Sequence, residues 1–248
     1  MKFAPIVPVQ YDPAKYSDFH LILAHEIRID PVKRAYYEEA SKRGHQIILD
    51  NGVIELGSSV SYLDLMEAWN HFPEATLVVP DSIRDQKRTI ELAQDFAEFI
   101  REEELDESFT LMIVPQGTTF VEWLGCLEAQ LDLFSDNTNI VVGIGRYAED
   151  TFEGGRKALW ETAQKIWSGN YHLLGVQHNL EEVAWAREIS TIWGCDSSLP
   201  ARAALMGIYA TKVENLRELP DVVEFNSGIL TDVQDEIRRC VSFLNGTH

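Results

Sequence analysis

The chain has 248 residues, 45% hydrophobic and 25% charged, with a formal net charge of −19 at pH 7. That composition suits one soluble globular domain spanning residues 1–248, with a substantial core and no disordered tract. The acidic balance argues against a broad electrostatic grip on a phosphate backbone, which rests on Lys and Arg. Cys126, Cys195 and Cys240 show no CxxC or Cys/His spacing, so neither a disulfide framework nor a zinc site is written here. Met1-Lys2-Phe3-Ala4-Pro5 lacks a long apolar core, and no run is long enough to cross a bilayer. A reducing, cytoplasmic setting is expected.

In chain order, Pro5–Val9 and Phe19–His25 are the first two predicted strands. Pro31 opens a helix over residues 32–43 that Gly44 stops before the Ile47 strand. Ser61 caps a helix through Trp69, the Leu77 strand follows, and residues 85–103 form a long amphipathic helix with Ile90, Ala93, Phe96, Ala97 and Ile100 inward. Next come the Leu111 strand, a helix near 119–132, the Ile140–Gly145 strand and a helix near 154–168. The Tyr171–Val176 strand, a helix near 180–189 and a strand leading to Asp196 complete the alternation. Ala203–Ile208, a run at Val222–Phe225 and a helix near 231–244 close the chain. Eight buried apolar strands alternating with helices predict an α/β fold, a single (β/α)8 TIM-type barrel. An open doubly wound sheet is the alternative, weakened because no glycine-rich phosphate loop follows the first strand.

Four of these strands finish on polar groups. Ile47-Ile48-Leu49 ends in Asp50-Asn51-Gly52, Leu77–Pro80 in Asp81, Met112–Pro115 in Gln116-Gly117, and the run after Ser190 in Asp196. Each is an ordinary turn former taken alone, but strand C-terminal ends are where parallel α/β proteins keep their chemistry. Leu199-Pro200 is expected to break the last strand, leaving Asp196 where strand passes to loop. Arg84, Lys87 and Arg88 follow one strand end and Arg202 another, which leaves room for a local basic patch on an acidic chain, although each charge taken alone reads as a solvated face.

Read together, these strand ends resemble the tRNA-guanine transglycosylase family, whose members exchange guanine for a 7-deazaguanine on a (β/α)8 barrel. Leu21–His25 looks like the family's Ile-Leu-x-Asn-Thr-Tyr-His segment, and Leu49-Asp50-Asn51-Gly52-Val53-Ile54-Glu55 like its Thr-Asp-Ser-Gly-Gly-Phe-Gln. Ile113–Gly117 is similar to Gly-Ile-Val-Gln-Gly, and Tyr171–Val176 to Arg-Tyr-Leu-Met-Gly-Val. Asp196-Ser197-Ser198-Leu199-Pro200-Ala201-Arg202 resembles Asp-Cys-Val-Leu-Pro-Thr-Arg, the most specific match. The resemblance implies that Asp196 is a nucleophile attacking sugar C1′ and that Asp50 handles protons. It implies that Asp81 recognises the base, Gln116 and the Gly143 and Gly145 backbone complete the purine frame, and Gly117, Leu174, Gly175 and Arg202 line the substrate site. A carboxylate can hold a glycosyl group covalently, splitting one displacement into two.

The departures define a compact branch. The zinc-binding Cys-x-Cys-x-x-Cys and distal His are absent together with the insert that carries them, Ile54 stands where an aromatic ring stacks on the base, and Leu174 replaces a methionine. Pro80-Asp81-Ser82 departs from Phe-Asp-Glu-Cys. Compact relatives of this superfamily in phages insert 7-deazaguanines into DNA. The expected activity is therefore a pentosyltransferase acting on DNA, with tRNA as the other polymer, needing no cofactor or metal. A homodimer or a partner protein stays open. Two further readings stand beside it: a metal-dependent hydrolase using His25, Asp50, Asp81, His178 and Asp196, and a non-catalytic barrel subunit. His20, His45, His71 and His172 read as packed or surface histidines, and Trp69, Trp123, Trp160 and Trp167 as helix-face packing.

Overall fold

The computed structural model describes residues 1–103, 109–137, 139–176, 180–205 and 230–245. His178 and the Val222–Phe225 run lie outside the described residues. Eight strands, β1 (Lys2–Pro5), β2 (Phe19–Leu23), β3 (Gln46–Asp50), β4 (Thr76–Val78), β5 (Leu111–Ile113), β6 (Ile140–Ile144), β7 (Asn170–Leu173) and β8 (Ile192–Ser197), form one parallel sheet. The hydrogen-bonded order is β1-β8-β7-β6-β5-β4-β3-β2. Its two edges, β1 and β2, lie side by side, and Ser17 just before β2 donates its hydroxyl to the Phe3 carbonyl at 2.8 Å, so the sheet is a nearly closed barrel.

Helices α1 (Ala24–Ile29) and α2 (Pro31–Lys42) follow β2, and α3 (Val53–Leu56) and α4 (Tyr62–Trp69) follow β3. Then α5 (Gln86–Glu102) follows β4, α6 (Phe120–Leu133) follows β5, α7 (Tyr147–Thr151) and α8 (Gly155–Ala163) follow β6, and α9 (Leu180–Arg187) follows β7. After β8 come α10 (Leu199–Leu205) and α11 (Leu230–Asn245). The helix starts obey local chemistry. Asp30, Ser61 and Asp85 each accept backbone N–H bonds as N-caps, and Thr119 with Glu122 forms a reciprocal capping box on α6.

Alternate strand residues serve two cores. Phe3, Leu49, Leu77, Ile113, Val142, Leu173 and Cys195 face the helices, whereas Ala4, Phe19, Ile48, Val78, Met112 and Val141 fill the barrel interior. Strands buried on both faces read as continuous apolar runs, which is why the sequence pattern marks them.

Three predicted boundaries are corrected. The first strand is Lys2–Pro5, earlier than Pro5–Val9, because Phe3 and Ala4 supply the alternation and pair with Cys195 and Asp196, while Val9–Tyr11 turns as a 3-10 helix after Pro8. The Phe19–His25 strand stops at Leu23, since Ala24 and Ile27, three apart, form the buried side of α1 and place His25 on that helix. Leu199-Pro200 starts α10 instead of a loop, with Pro200 in the first turn where no intrahelical N–H is needed.

One irregularity decides what β8 delivers. Tyr171 pairs with Ile192 but His172 pairs with Gly194, so Trp193 is an extra residue on β8. Ile192 faces the helices; without that bulge every second residue from it, including Asp196, would face them too. With it, Gly194 and Asp196 face the interior. Gly194 leaves room there for two rings: an added Cβ would lie 2.7 Å from Phe19 Cε1 and 3.1 Å from His172 Nδ1. Gly194→Ala should therefore overpack the interior and destabilise the protein by about 1–3 kcal/mol, measured by chemical denaturation; a stability equal to wild type would contradict this packing.

Candidate active site

The barrel brings the polar strand ends to one mouth, because the C-termini of parallel strands all point the same way. Asp196, directed inward by the bulge, is 3% exposed. His172 Nε2 lies 3.0 Å from its Oδ1, and the Gly175 N–H donates to its Oδ2 at 3.0 Å. In this pairing the carboxylate oxygen accepts when the imidazole carries its proton on Nε2. His172 Nδ1 then faces the aromatic surroundings of Phe19 and Trp193 with no hydrogen-bond partner among the described residues.

Asp50 closes β3 on the same inward face as Ile48 and keeps some accessible surface. The Gly52 N–H donates to its Oδ1 at 2.7 Å. Burial pushes its carboxyl up to about 7 against that bond, and the nearby charges of Glu55, Asp81 and Asp196 add to the rise.

Asp81 sits beyond β4 and is framed by amides. Asn51 Nδ2 donates to Oδ1 at 2.7 Å and Gln116 Nε2 to Oδ2 at 2.6 Å, while Asp81's own N–H donates to Ser59 Oγ at 2.9 Å. Burial raises its carboxyl to about 6, held back by those two amide donors. The amides are themselves oriented. Asn51 Oδ1 accepts from the Val53 N–H at 3.0 Å, and Gln116 Oε1 from the Arg84 N–H at 2.9 Å. Arg84 holds φ at 61°, an uncommon angle for a side-chain-bearing residue, to present that N–H. Its guanidinium stands over the Tyr147 ring, 5.8 Å from the centroid.

The remaining predicted residues surround this centre in different ways. Gly143 faces the interior, where an added Cβ would lie 3.0 Å from Leu174 Cδ1 and Val114 Cγ2, and Gly145 adjoins the Tyr147 ring. Gly117 is buried where its loop approaches α6, an added Cβ lying 2.7 Å from the Trp123 backbone nitrogen. Arg202 is buried in α10, its N–H bonded to the Ser198 carbonyl at 3.0 Å. His25 lies beneath the Gly52 turn. Among the described residues no three His, Cys, Asp or Glu side chains gather in a way that would hold a metal ion, and no helix is long and apolar enough to cross a membrane.

Two residues with direct roles in this geometry were not singled out from sequence. In the sequence Asn51 reads as part of a turn and His172 as a packed or surface residue. His172 is fully buried, yet it also touches Asp196. Its inward parity with Leu174, just past the end of β7, is the available signal.

The chain matches no known family model and no curated protein sequence.

The raised carboxyls make a stability prediction. A group whose folded value exceeds its unfolded one, near 4 for aspartate, favours folding least once pH has risen through the folded value. For Asp50 that window runs from about 4 to about 7. Asp50→Asn should therefore melt higher than wild type above pH 7, with the advantage shrinking as pH falls towards 4. Thermal melts across that range are the check; an advantage that grows on acidification would contradict the assignment.

Proposed function

We propose that the chain is a base-exchange transglycosylase of the tRNA-guanine transglycosylase type. It would replace guanine in a nucleic acid, DNA in preference to tRNA, with a 7-deazaguanine, in the cytoplasm or in a phage's host cell. The observation that carries this reading is the convergence of Asp50, Asp81 and Asp196 on one mouth, each in a different chemical setting.

Asp196 is the nucleophile in this reading. One carboxylate oxygen bonds to C1′ as the C1′–N9 bond breaks, the bonding pair leaves with guanine, and Asp50 supplies the proton the departing base takes up. In the second half the incoming base attacks C1′ through N9, its proton returns to Asp50, and Asp196 is released. A group poised near 7 is suited to both directions at neutral pH. Asp196 is instead held by two donors and deeply buried, which fixes the attacking group in place.

Asp81 is the base reader. A carboxylate has about four lone-pair sites, and Asn51 and Gln116 occupy two, leaving acceptors for the N1–H and N2–H donors of a guanine edge. Leu174 beside Gly143 offers an apolar flank for the ring. The missing zinc insert favours the compact, DNA-modifying branch that the motifs resemble.

Given guanine-labelled DNA or tRNA without incoming base, the wild type should form a protein–polymer adduct on denaturing gels, and Asp196→Asn none at any time. Asp50→Asn should keep slow adduct formation but lose ~10²–10⁴-fold in turnover, whereas Asp81→Asn should change which base is accepted. Base exchange by Asp196→Asn at the wild-type rate would remove the mechanism. Label lost from tRNA but not DNA would reverse the polymer preference.

A further inference from the structure

Behind the wall of the mouth lies a buried guanidinium. Arg156, near the start of α8, is 1% exposed, and its Nε and Nη2 both donate to the carboxylate of Glu182 on α9, itself 2% exposed. Its Nη1 donates to two strand-end carbonyls, Leu174 at 2.6 Å and Ile144 at 3.3 Å. Its own backbone N–H donates to Glu149 Oε2 of α7 at 3.0 Å, which ties the start of α8 in place. Its side chain therefore ties α8 to α9 and to the ends of two strands, while its backbone N–H ties α8 to α7.

The Leu174 carbonyl and the Gly175 N–H belong to a single peptide unit. The planar trans peptide points these groups in opposite directions: the carbonyl to Arg156 and the N–H to Asp196 Oδ2. Gly175 holds φ at +66°, and an added Cβ would meet only Arg146 Cβ, at 3.6 Å. Space is thus available for a side chain; the backbone angle is what calls for glycine. The neighbouring groups are also committed, Leu174 N–H to the Ile144 carbonyl at 3.0 Å and Val176 N–H to the Asp196 carbonyl at 2.9 Å.

We infer that Arg156 is a positioning residue: by clamping the Leu174 carbonyl it fixes the Leu174–Gly175 peptide so that the Gly175 N–H holds the Asp196 carboxylate for attack. The inference rests on the nucleophilic role proposed for Asp196, although the clamp on the peptide is a separate matter of geometry. Glu182 supplies the counter-charge that lets a guanidinium sit in the wall, and the bidentate fork leaves Nη1 free to reach the carbonyls. The positive end of the clamp also aligns the peptide dipole with its N–H towards the carboxylate, a preorganised arrangement.

Removing Arg156 alone would strand a buried Glu182, so the test uses Arg156→Met/Glu182→Leu, which replaces both charges by apolar groups of similar volume. Wild type and double variant are compared by single-turnover adduct formation, polymer Kd, melting temperature, and the Gly175 resonance in protein 15N-labelled at glycine. With the melting temperature close to wild type, adduct formation should fall about 10²-fold at unchanged Kd. The Gly175 amide proton, shifted downfield by its carboxylate partner in wild type, should move upfield in the double variant and in Asp196→Asn. Arg156→Lys, which keeps a cation but loses the fork, should recover part of the rate, and it carries the test if the double variant does not fold. A wild-type adduct rate together with an unmoved Gly175 resonance would overturn the inference. Should wild type itself form no adduct, the transglycosylase reading fails, and the Gly175 resonance alone then upholds or overturns the clamp.

Discussion

Three carboxyl groups lie at one barrel mouth, where burial penalises charge on Asp50 and Asp81, and the rest of the site answers that constraint. The described donors to Asp50 and Asp81 are neutral: a backbone N–H for the first, two carboxamides for the second. A guanidinium on either would hold its carboxyl low. Neutral donors leave them raised, to about 7 and about 6, so both titrate near neutral pH. Asp196 takes one donor from a side chain and one from the backbone.

Such an arrangement demands rigid support, and the supports are visible one layer out. Gln116 is oriented by a backbone N–H from a residue at positive φ, and Asn51 by the turn into α3. The Leu174–Gly175 peptide is gripped from behind by a buried ion pair. An isolated buried ion pair contributes little to stability once desolvation is counted, so its value here lies in where it holds the strand ends. Backbone strain at Arg84 falls beside the mouth, the place where strained geometry is most often put to use.

The barrel and most of its mouth were legible in the sequence because strands buried on both faces leave continuous apolar runs. Polar residues at their ends then have one place to go. Asp50, Asp81, Gln116 and Asp196 were found that way. What escaped depends on parity and on contacts across the fold. Nothing in Ser190–Trp193 announces that Trp193 is an extra residue, because a bulge is defined by its partner strand. His172 looked like packing because its role depends on Asp196, 24 residues later. Arg156 and Glu182 sit on helices where charges ordinarily face water, and only the assembled wall shows them buried. The early strand-to-helix change at Leu23 is not legible, because Phe19–His25 is apolar enough for either state.

The proposed mechanism depends on a bond between Asp196 and a sugar carbon. Mass spectrometry of peptides from a reaction with a short guanine-containing oligonucleotide, quenched in acid before any incoming base is added, reads that bond directly. The expected result is one modified peptide carrying the oligonucleotide minus guanine, with fragment ions placing the mass on Asp196. The same mass on Asp50 or Asp81, or guanine release with no modified peptide at any quench time, would contradict it.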